Sequence, residues 1–152
     1  MREPLASRIL RCTLYGVFVS AVLVTVTLPL MLDTYFGIMF DAYSLYPGYR
    51  AFIIPFLMFS GAGGAWIVLE LILMLRSIPT NPFVFRNVRA LKRVGIILAV
   101  LAVAFGSKCF VYNTFLTMVG AVIFVLACLF AFTLASLFSQ AVAFREENDL
   151  TI

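Results

Sequence analysis

Few residues of this 152-residue chain have side chains that could do chemistry. Glu70 is an acid inside a long apolar run. The chain contains no histidine, so it lacks a histidine general base and the commonest metal ligand. Its three cysteines are widely spaced and form no CxxC motif, so they give no signature of a redox pair or a zinc site. We therefore expect a protein that is not an enzyme and that needs no metal or other cofactor.

A basic segment is the first candidate for binding a partner. It opens with Asn81-Pro82-Phe83, in which Asn81 is a good N-cap residue and Pro82 suits the first helical turn. The cations that follow are Arg86, Arg89, Lys92 and Arg93. Arg86, Arg89 and Arg93 recur at helical spacing, on a different side of the helix from an apolar stripe. This pattern predicts a short cytoplasmic amphipathic helix, which either anchors the chain against anionic lipid or docks an acidic partner segment.

An acidic segment at the C-terminus is the second candidate. Glu146, Glu147 and Asp149 follow an apolar run without a helix breaker. If the helix continues, these acids stand near its C-terminus, where each costs a few tenths to about 1 kcal/mol against the helix dipole. A basic partner, or the cations of the basic segment, would relieve that cost. The alternative is a solvated tail that keeps the chain end out of the bilayer.

The elements that position these residues are membrane spans. Hydrophobic residues make up 64% of the chain and charged residues 12%, against about half and a quarter in globular proteins. Four runs approach the roughly 20 apolar residues that a bilayer core requires. The predicted spans are 13–32, 51–75, 94–113 and 115–140. The third forms only if Lys92, Arg93 and Lys108 snorkel outward or the helix continues toward Asn113.

The predicted fold is an all-α polytopic membrane protein, with four transmembrane helices in a bundle. Residues 1–152 then form a single membrane domain, with a cytoplasmic loop at 76–93 and a cytoplasmic tail at 141–152. Basic residues concentrate in the N-terminal arm and in this loop, so both termini are expected in the cytoplasm. The net charge is +4, but the placement of the basic residues between the apolar runs matters more than its sign. This distribution orients the chain in the lipid bilayer and suggests no direct binding of nucleic acid.

Glu70 is the one acid inside a predicted span, roughly 7.5 Å from the inner end of the second helix. Its candidate partners at similar depth are Arg11, Ser136 and Gln140. An acid within the membrane is a functional candidate by default. However, an ion relay needs several polar groups, and the outer half offers only Lys108 and Asn113. Structural hydrogen bonding or snorkelling is therefore the simpler interpretation.

Small residues recur in two of the spans at the spacing that brings helices close together. The second span has Ser60, Gly61, Gly64 and Ala65, and the fourth has Ala127, Ala131, Ala135 and Ser139. Such stripes predict close helix contacts. These contacts form either inside the four-helix bundle or in a homo-oligomer.

The basic and acidic segments together resemble one family. The matching residues are Asn81-Pro82-Phe83, Asn87-Val88, Leu91-Lys92-Arg93 and Gly95, with Glu147-Asn148-Asp149-Leu150-Thr151-Ile152 at the end. They resemble the DUF2975 family of small bacterial four-helix membrane proteins. The resemblance implies a multi-pass protein of the bacterial cytoplasmic membrane. It also implies pairing with a small helix-turn-helix regulator, and it supplies no catalytic residues.

Two functions are consistent with these residues. The first is a non-enzymatic regulatory membrane partner that binds or sequesters a small helix-turn-helix transcriptional regulator through the acidic tail and the basic loop helix. The second is a small transporter, channel component or transporter accessory subunit in which Glu70 lines a polar path. This second function requires a water-accessible cavity that reaches Glu70 from one side and Lys108 or Asn113 from the other.

Overall fold

The computed structural model describes residues 5–39, 48–77, 85–112 and 114–149. These residues form α1 (Leu5–Met39), α2 (Tyr49–Ser77), α3 (Phe85–Val111) and α4 (Phe115–Asp149). All four helices are long and apolar enough to cross a membrane. This confirms the predicted all-α fold and identifies a multi-pass membrane protein.

Consecutive helices run antiparallel. Arg76, near the end of α2, donates hydrogen bonds to the Tyr15 hydroxyl near the start of α1. Glu70, also late in α2, contacts Arg93 early in α3. We call the end of the molecule where α2 ends and α3 begins the basic end. Its described basic residues are Arg8, Arg11, Arg76, Arg86, Arg89, Lys92, Arg93 and Arg145.

The opposite end is aromatic. The rings of Tyr49 and Tyr112 meet edge to face with centroids 4.9 Å apart, and Phe52 also lies against Tyr112. One turn deeper, Phe56 of α2 packs on Phe105 of α3 at 5.0 Å. We call this the aromatic end. Edge-to-face and tilted ring pairs of this kind stabilise the contact beyond the apolar area that they bury.

The helices pack in chain order, as two hairpins. The interface of α3 with α4 is the most extensive, that of α1 with α2 is second, and that of α2 with α3 is the smallest of the three. Helix α1 lies at the edge, since no residue of its most apolar stretch is buried. The fold is therefore an α1–α2 hairpin joined to an α3–α4 hairpin through α2 and α3.

The predicted small stripe of α4 packs against α3. Val94 and Leu98 of α3 and Ala131 of α4 form the centre of a buried apolar cluster, with Ala127 packed beside them. Ala135, one turn further along α4, is almost completely buried. This confirms the close helix contact expected from the small residues, because short side chains let two helix backbones approach.

Gly95 lets the two helices of this second hairpin come together. A Cβ atom at Gly95 would lie 3.0 Å from the ring of Phe132 in α4. The Gly95 carbonyl accepts a hydrogen bond from the Cys128 thiol at 3.4 Å. A larger residue at 95 would therefore press against the Phe132 ring, which would have to move for α3 and α4 to keep their present distance.

Helix α3 contains the basic segment as its first turns, within one continuous helix rather than as a separate short helix. The segment is amphipathic, because Asn87, Val88 and Leu91 are buried. Its exposed residues are Arg86, Arg89, Lys92 and Arg93. Asn81, Pro82 and Phe83, where the helix start is predicted, lie outside the described residues.

Two glycines of α2 provide a test of how the first hairpin packs. A Cβ atom at Gly61 would overlap the side chain of Thr25 in α1, whereas one at Gly64 would meet nothing within 4 Å. Gly61→Ala should therefore destabilise the protein by about 1–3 kcal/mol through overpacking. Gly64→Ala, the matched control, should be neutral or stabilising by up to about 1 kcal/mol, because alanine favours helix. Thermal unfolding in detergent measures both, and equal effects would contradict the α1–α2 contact.

Candidate functional site

A buried acid and a cation form an ion pair at the basic end. Glu70 of α2 is only 5% exposed, and its Oε1 accepts a hydrogen bond from Nη1 of Arg93 at 2.8 Å. The Arg93 side chain remains 59% exposed. An unpaired carboxylate at this depth would be costly. Arg93 therefore supplies the counter-charge for Glu70 while much of its own side chain stays at the surface.

A cavity of about 160 Å³ opens beside this pair, between the end of α2 and the start of α3. Its lining residues are Glu70, Leu73, Met74, Arg86, Asn87, Ala90 and Arg93. Two guanidinium groups, one carboxylate and one amide thus share a small space with apolar side chains. With two cations against one anion, the site favours an anionic group over a cationic one.

Helical spacing brings the α3 side of this cavity together. Arg86, Ala90 and Arg93 are separated by four and then three residues, which places them on one face of a helix. Ala90 is short and leaves space between the two arginines. Arg86 and Asn87 belong to the first turn of α3, where backbone N–H groups lack intrahelical acceptors and the helix dipole is positive.

The cations of the basic segment divide into two groups. Arg86 and Arg93 line the cavity, whereas Arg89 and Lys92 lie on the same exposed turns without lining it. From the sequence alone, these four cations are predicted to form one basic surface. Asn87, which is completely buried beside the cavity, was not among the predicted site residues.

The sequence did not predict the partner of Glu70 that the structure shows. The sequence suggests Arg11, Ser136 or Gln140, but the ion pair is made with Arg93. The sequence places Arg93 in the loop, because the predicted third span begins at residue 94, whereas α3 begins at Phe85. Glu70 lies about two turns before the end of α2, and Arg93 about two turns after the start of α3. Equal depth in two antiparallel helices is the signal that could have identified the pair.

A second buried polar group lies at the aromatic end. Lys108 is 7% exposed, and its Nζ donates a hydrogen bond to Thr117 Oγ1 at 2.9 Å. That hydroxyl also bonds the Thr114 hydroxyl at 2.6 Å, just before α4 begins. The Lys108 ammonium lies 5.3 Å from the centre of the Phe56 ring. The third span therefore forms because α3 continues to Val111, while Lys108 turns inward instead of snorkelling outward.

The two polar groups are separated along α3 by apolar residues. Arg93 and Lys108 are about 22 Å apart along the helix axis. The buried apolar side chains between them on α3 include Val94, Leu98 and Leu101. In the described part of the chain, the cavity at Glu70 and the polar cluster at Lys108 therefore belong to opposite ends of the molecule.

The acidic segment extends α4 as predicted, since the helix continues to Asp149. Glu146 and Glu147 are exposed, and neither lines the cavity. Because α4 runs antiparallel to α3, these acids lie at the basic end. Arg93, one of the cations proposed to neutralise the tail, is hydrogen-bonded to Glu70. Among the residues that the structure describes, no group of three His, Cys, Asp or Glu side chains could hold a metal ion.

Glu70→Gln should leave the protein folded. The amide oxygen can still accept the hydrogen bond from Arg93, and the cost of a charge at membrane depth is removed. We expect the thermal unfolding midpoint in detergent to stay within about 4 °C of the wild type. Glu70→Lys, which places a second cation beside Arg93, should lower it by a larger amount. Equal midpoints for the two variants would contradict the ion pair.

The comparisons with known proteins agree with this description. A family model described as a protein of unknown function, DUF2975, matches residues 37–152. The match includes α2, α3 and α4, and with them both polar sites. No curated protein and no solved structure matches the chain. The chain therefore belongs to the DUF2975 family.

Proposed function

We propose that the chain is a non-enzymatic regulatory membrane partner that binds a small helix-turn-helix regulator at the cytoplasmic face of a bacterial membrane. The observation that carries this proposal is the acidic end of α4. The helix has 35 residues, which span roughly 52 Å, against about 30 Å for a bilayer core. Its last turns therefore extend beyond the hydrocarbon and present Glu146 and Glu147 to water.

Charge complementarity suggests the class of partner. A DNA-binding protein carries a basic surface that neutralises phosphates. The exposed carboxylates at the end of α4 could bind such a basic surface in place of the phosphates of DNA. These acids also lie at the end of a helix where the helix dipole disfavours negative charge. Binding of a basic partner would relieve this unfavourable interaction, which adds to the free energy of binding. The regulator would then be held at the membrane and away from its operator.

The basic residues set the orientation in this proposal. Cations near the ends of spans favour the cytoplasmic side, and the described cations are concentrated at the end where α1 begins and α4 ends. We expect single cysteines at positions 7, 44 and 151, in a variant without the native cysteines, to react differently with an impermeant reagent in intact cells. Only the cysteine at 44 should be labelled. Labelling at 7 or 151 would contradict the orientation.

The bundle is proposed to form within a single chain. Gly61 of α2 faces Thr25 of α1, and Ala131 of α4 packs against α3. Each small stripe therefore has at least one residue packed against a neighbouring helix of the same molecule. A homo-oligomer would have to use other apolar surfaces, such as the exposed faces of α1 and α4.

A transport function is the second candidate, favoured by the cavity beside Glu70. Against it stands the apolar stretch of α3 between Arg93 and Lys108, which separates this cavity from the polar group at the other end. An ion or proton flux in proteoliposomes that Glu70→Gln abolishes would favour transport over the regulatory role.

The regulatory role is tested by changing the acidic end of α4. Deleting residues 146–152 should release a tagged neighbouring regulator from the membrane fraction, because the proposed contact is removed. Replacing Glu146, Glu147 and Asp149 together by Lys should do the same. In the wild type, membrane association should weaken as salt is raised, since exposed charges are screened over about 8 Å at physiological ionic strength.

Charge reversal at Asp41, in the segment expected on the other side of the membrane, is the control for this experiment and should leave the regulator bound. Thermal unfolding of each variant checks that the four helices remain folded. If the regulator stays in the membrane fraction after both tail changes, the tail is not the docking element.

A further inference from the structure

We propose that the cavity at the basic end binds a phosphate group between Arg86 and Arg93. This inference does not depend on the regulator proposed above. It rests on a different set of residues, since neither Glu146 nor Glu147 lines the cavity. In a membrane, the phosphate is supplied by the headgroup of a phospholipid, and in solution by inorganic phosphate.

The two arginines provide the recognition chemistry. A guanidinium group has five N–H donors in a planar fork, which matches the oxygens of a phosphate. Glu70 accepts from Nη1 of Arg93 at 2.8 Å. Because the Arg93 side chain is 59% exposed, we infer that its remaining N–H donors can reach an anion. Arg86 lines the same cavity from two helical turns earlier. Together they can hold one anion from two sides.

Glu70 has two opposing effects on such an anion. Its carboxylate holds Arg93 at the cavity wall, so the guanidinium is positioned before an anion binds. It also brings a negative charge into the same site, which leaves a net charge of +1 from the three ionic groups that line it. Neutralising Glu70 without removing its hydrogen bond should therefore strengthen anion binding.

The surroundings of the cavity suit a phospholipid headgroup. The first turn of α3 contributes the positive end of a helix dipole, which favours anions. Leu73 and Met74 of α2 add apolar surface on the facing wall, as expected where acyl chains meet headgroups. The volume of about 160 Å³ is close to that of an engineered cavity of about 150 Å³ that binds benzene. A phosphate group is small enough to enter it.

Arg89 offers a matched control for Arg86. Both are exposed arginines in the first turns of α3, so replacement by Gln changes the charge and side-chain type equally. Only Arg86 lines the cavity. A diffuse attraction between a basic surface and an anion would treat the two positions alike, whereas a site between Arg86 and Arg93 would not.

The test uses the purified full chain in non-ionic detergent at 0.15 M salt. Isothermal titration calorimetry measures binding of short-chain phosphatidylglycerol in one arm and of inorganic phosphate in the other. We expect phosphatidylglycerol to bind the wild type. Arg86→Gln should weaken it about tenfold or more, as for loss of a charged hydrogen bond. Arg89→Gln should weaken it by less than about threefold, since a screened, more distant charge contributes little.

Glu70→Gln is the second variant, and it should bind phosphatidylglycerol more tightly than the wild type. A misfolded protein would bind less tightly, so this variant separates loss of the site from loss of the fold. Inorganic phosphate that binds as tightly as the lipid, with the same dependence on Arg86, would support the site and assign it to free phosphate. Equal effects of Arg86→Gln and Arg89→Gln would overturn the proposal, and so would absence of binding in both arms.

Discussion

The ion pair between Glu70 and Arg93 is the interaction on which the rest of the arrangement depends. It crosses the interface of α2 with α3, which is smaller than the interface inside either helical hairpin. A buried carboxylate tolerates little displacement from its counter-charge, because the alternative is an unpaired charge at membrane depth. The pair therefore sets the depth at which the α1–α2 hairpin lies against the α3–α4 hairpin. It also fixes one wall of the cavity at the basic end.

Apolar and aromatic packing completes the same interface away from this pair. Leu101 of α3 is almost fully buried and would lie 3.1 Å from a Cβ atom at Gly63 of α2. Further on, Phe105 contacts both Phe56 of α2 and Phe124 of α4. These apolar contacts separate the two ends of the molecule, which differ in their chemistry. The basic end carries an open anion-favouring cavity and the acidic extension of α4, whereas the polar group of the aromatic end, Lys108, is buried.

Hydropathy and charge predicted the four helices well, because apolar runs of membrane length have few alternative structures. The small residues around Ala131 also predicted which face of α4 packs against another helix, because helical spacing alone places them on one side of α4. The partner of Glu70 was missed because an ion pair between two helices depends on their relative depth, which hydropathy does not contain. The sequence allows the third span either through snorkelling of its flanking cations or through continuation of the helix, and the helix continues. The hydrogen bond that Lys108 donates to Thr117, at the start of the next helix, was not predicted. Both missed interactions are contacts between helices rather than features of single helices.

The most direct test of this account is a double-mutant cycle at Glu70 and Arg93 with methionine, which is unbranched and cannot form the ion pair. Arg93→Met should destabilise the wild type, because it leaves the buried carboxylate unpaired. Glu70→Met should cost less, since exposed Arg93 can still reach water. In the Glu70→Met background, Arg93→Met should therefore have almost no effect on the unfolding midpoint in detergent. An equal loss of stability from Arg93→Met in both backgrounds would contradict the claim that this ion pair joins the two hairpins.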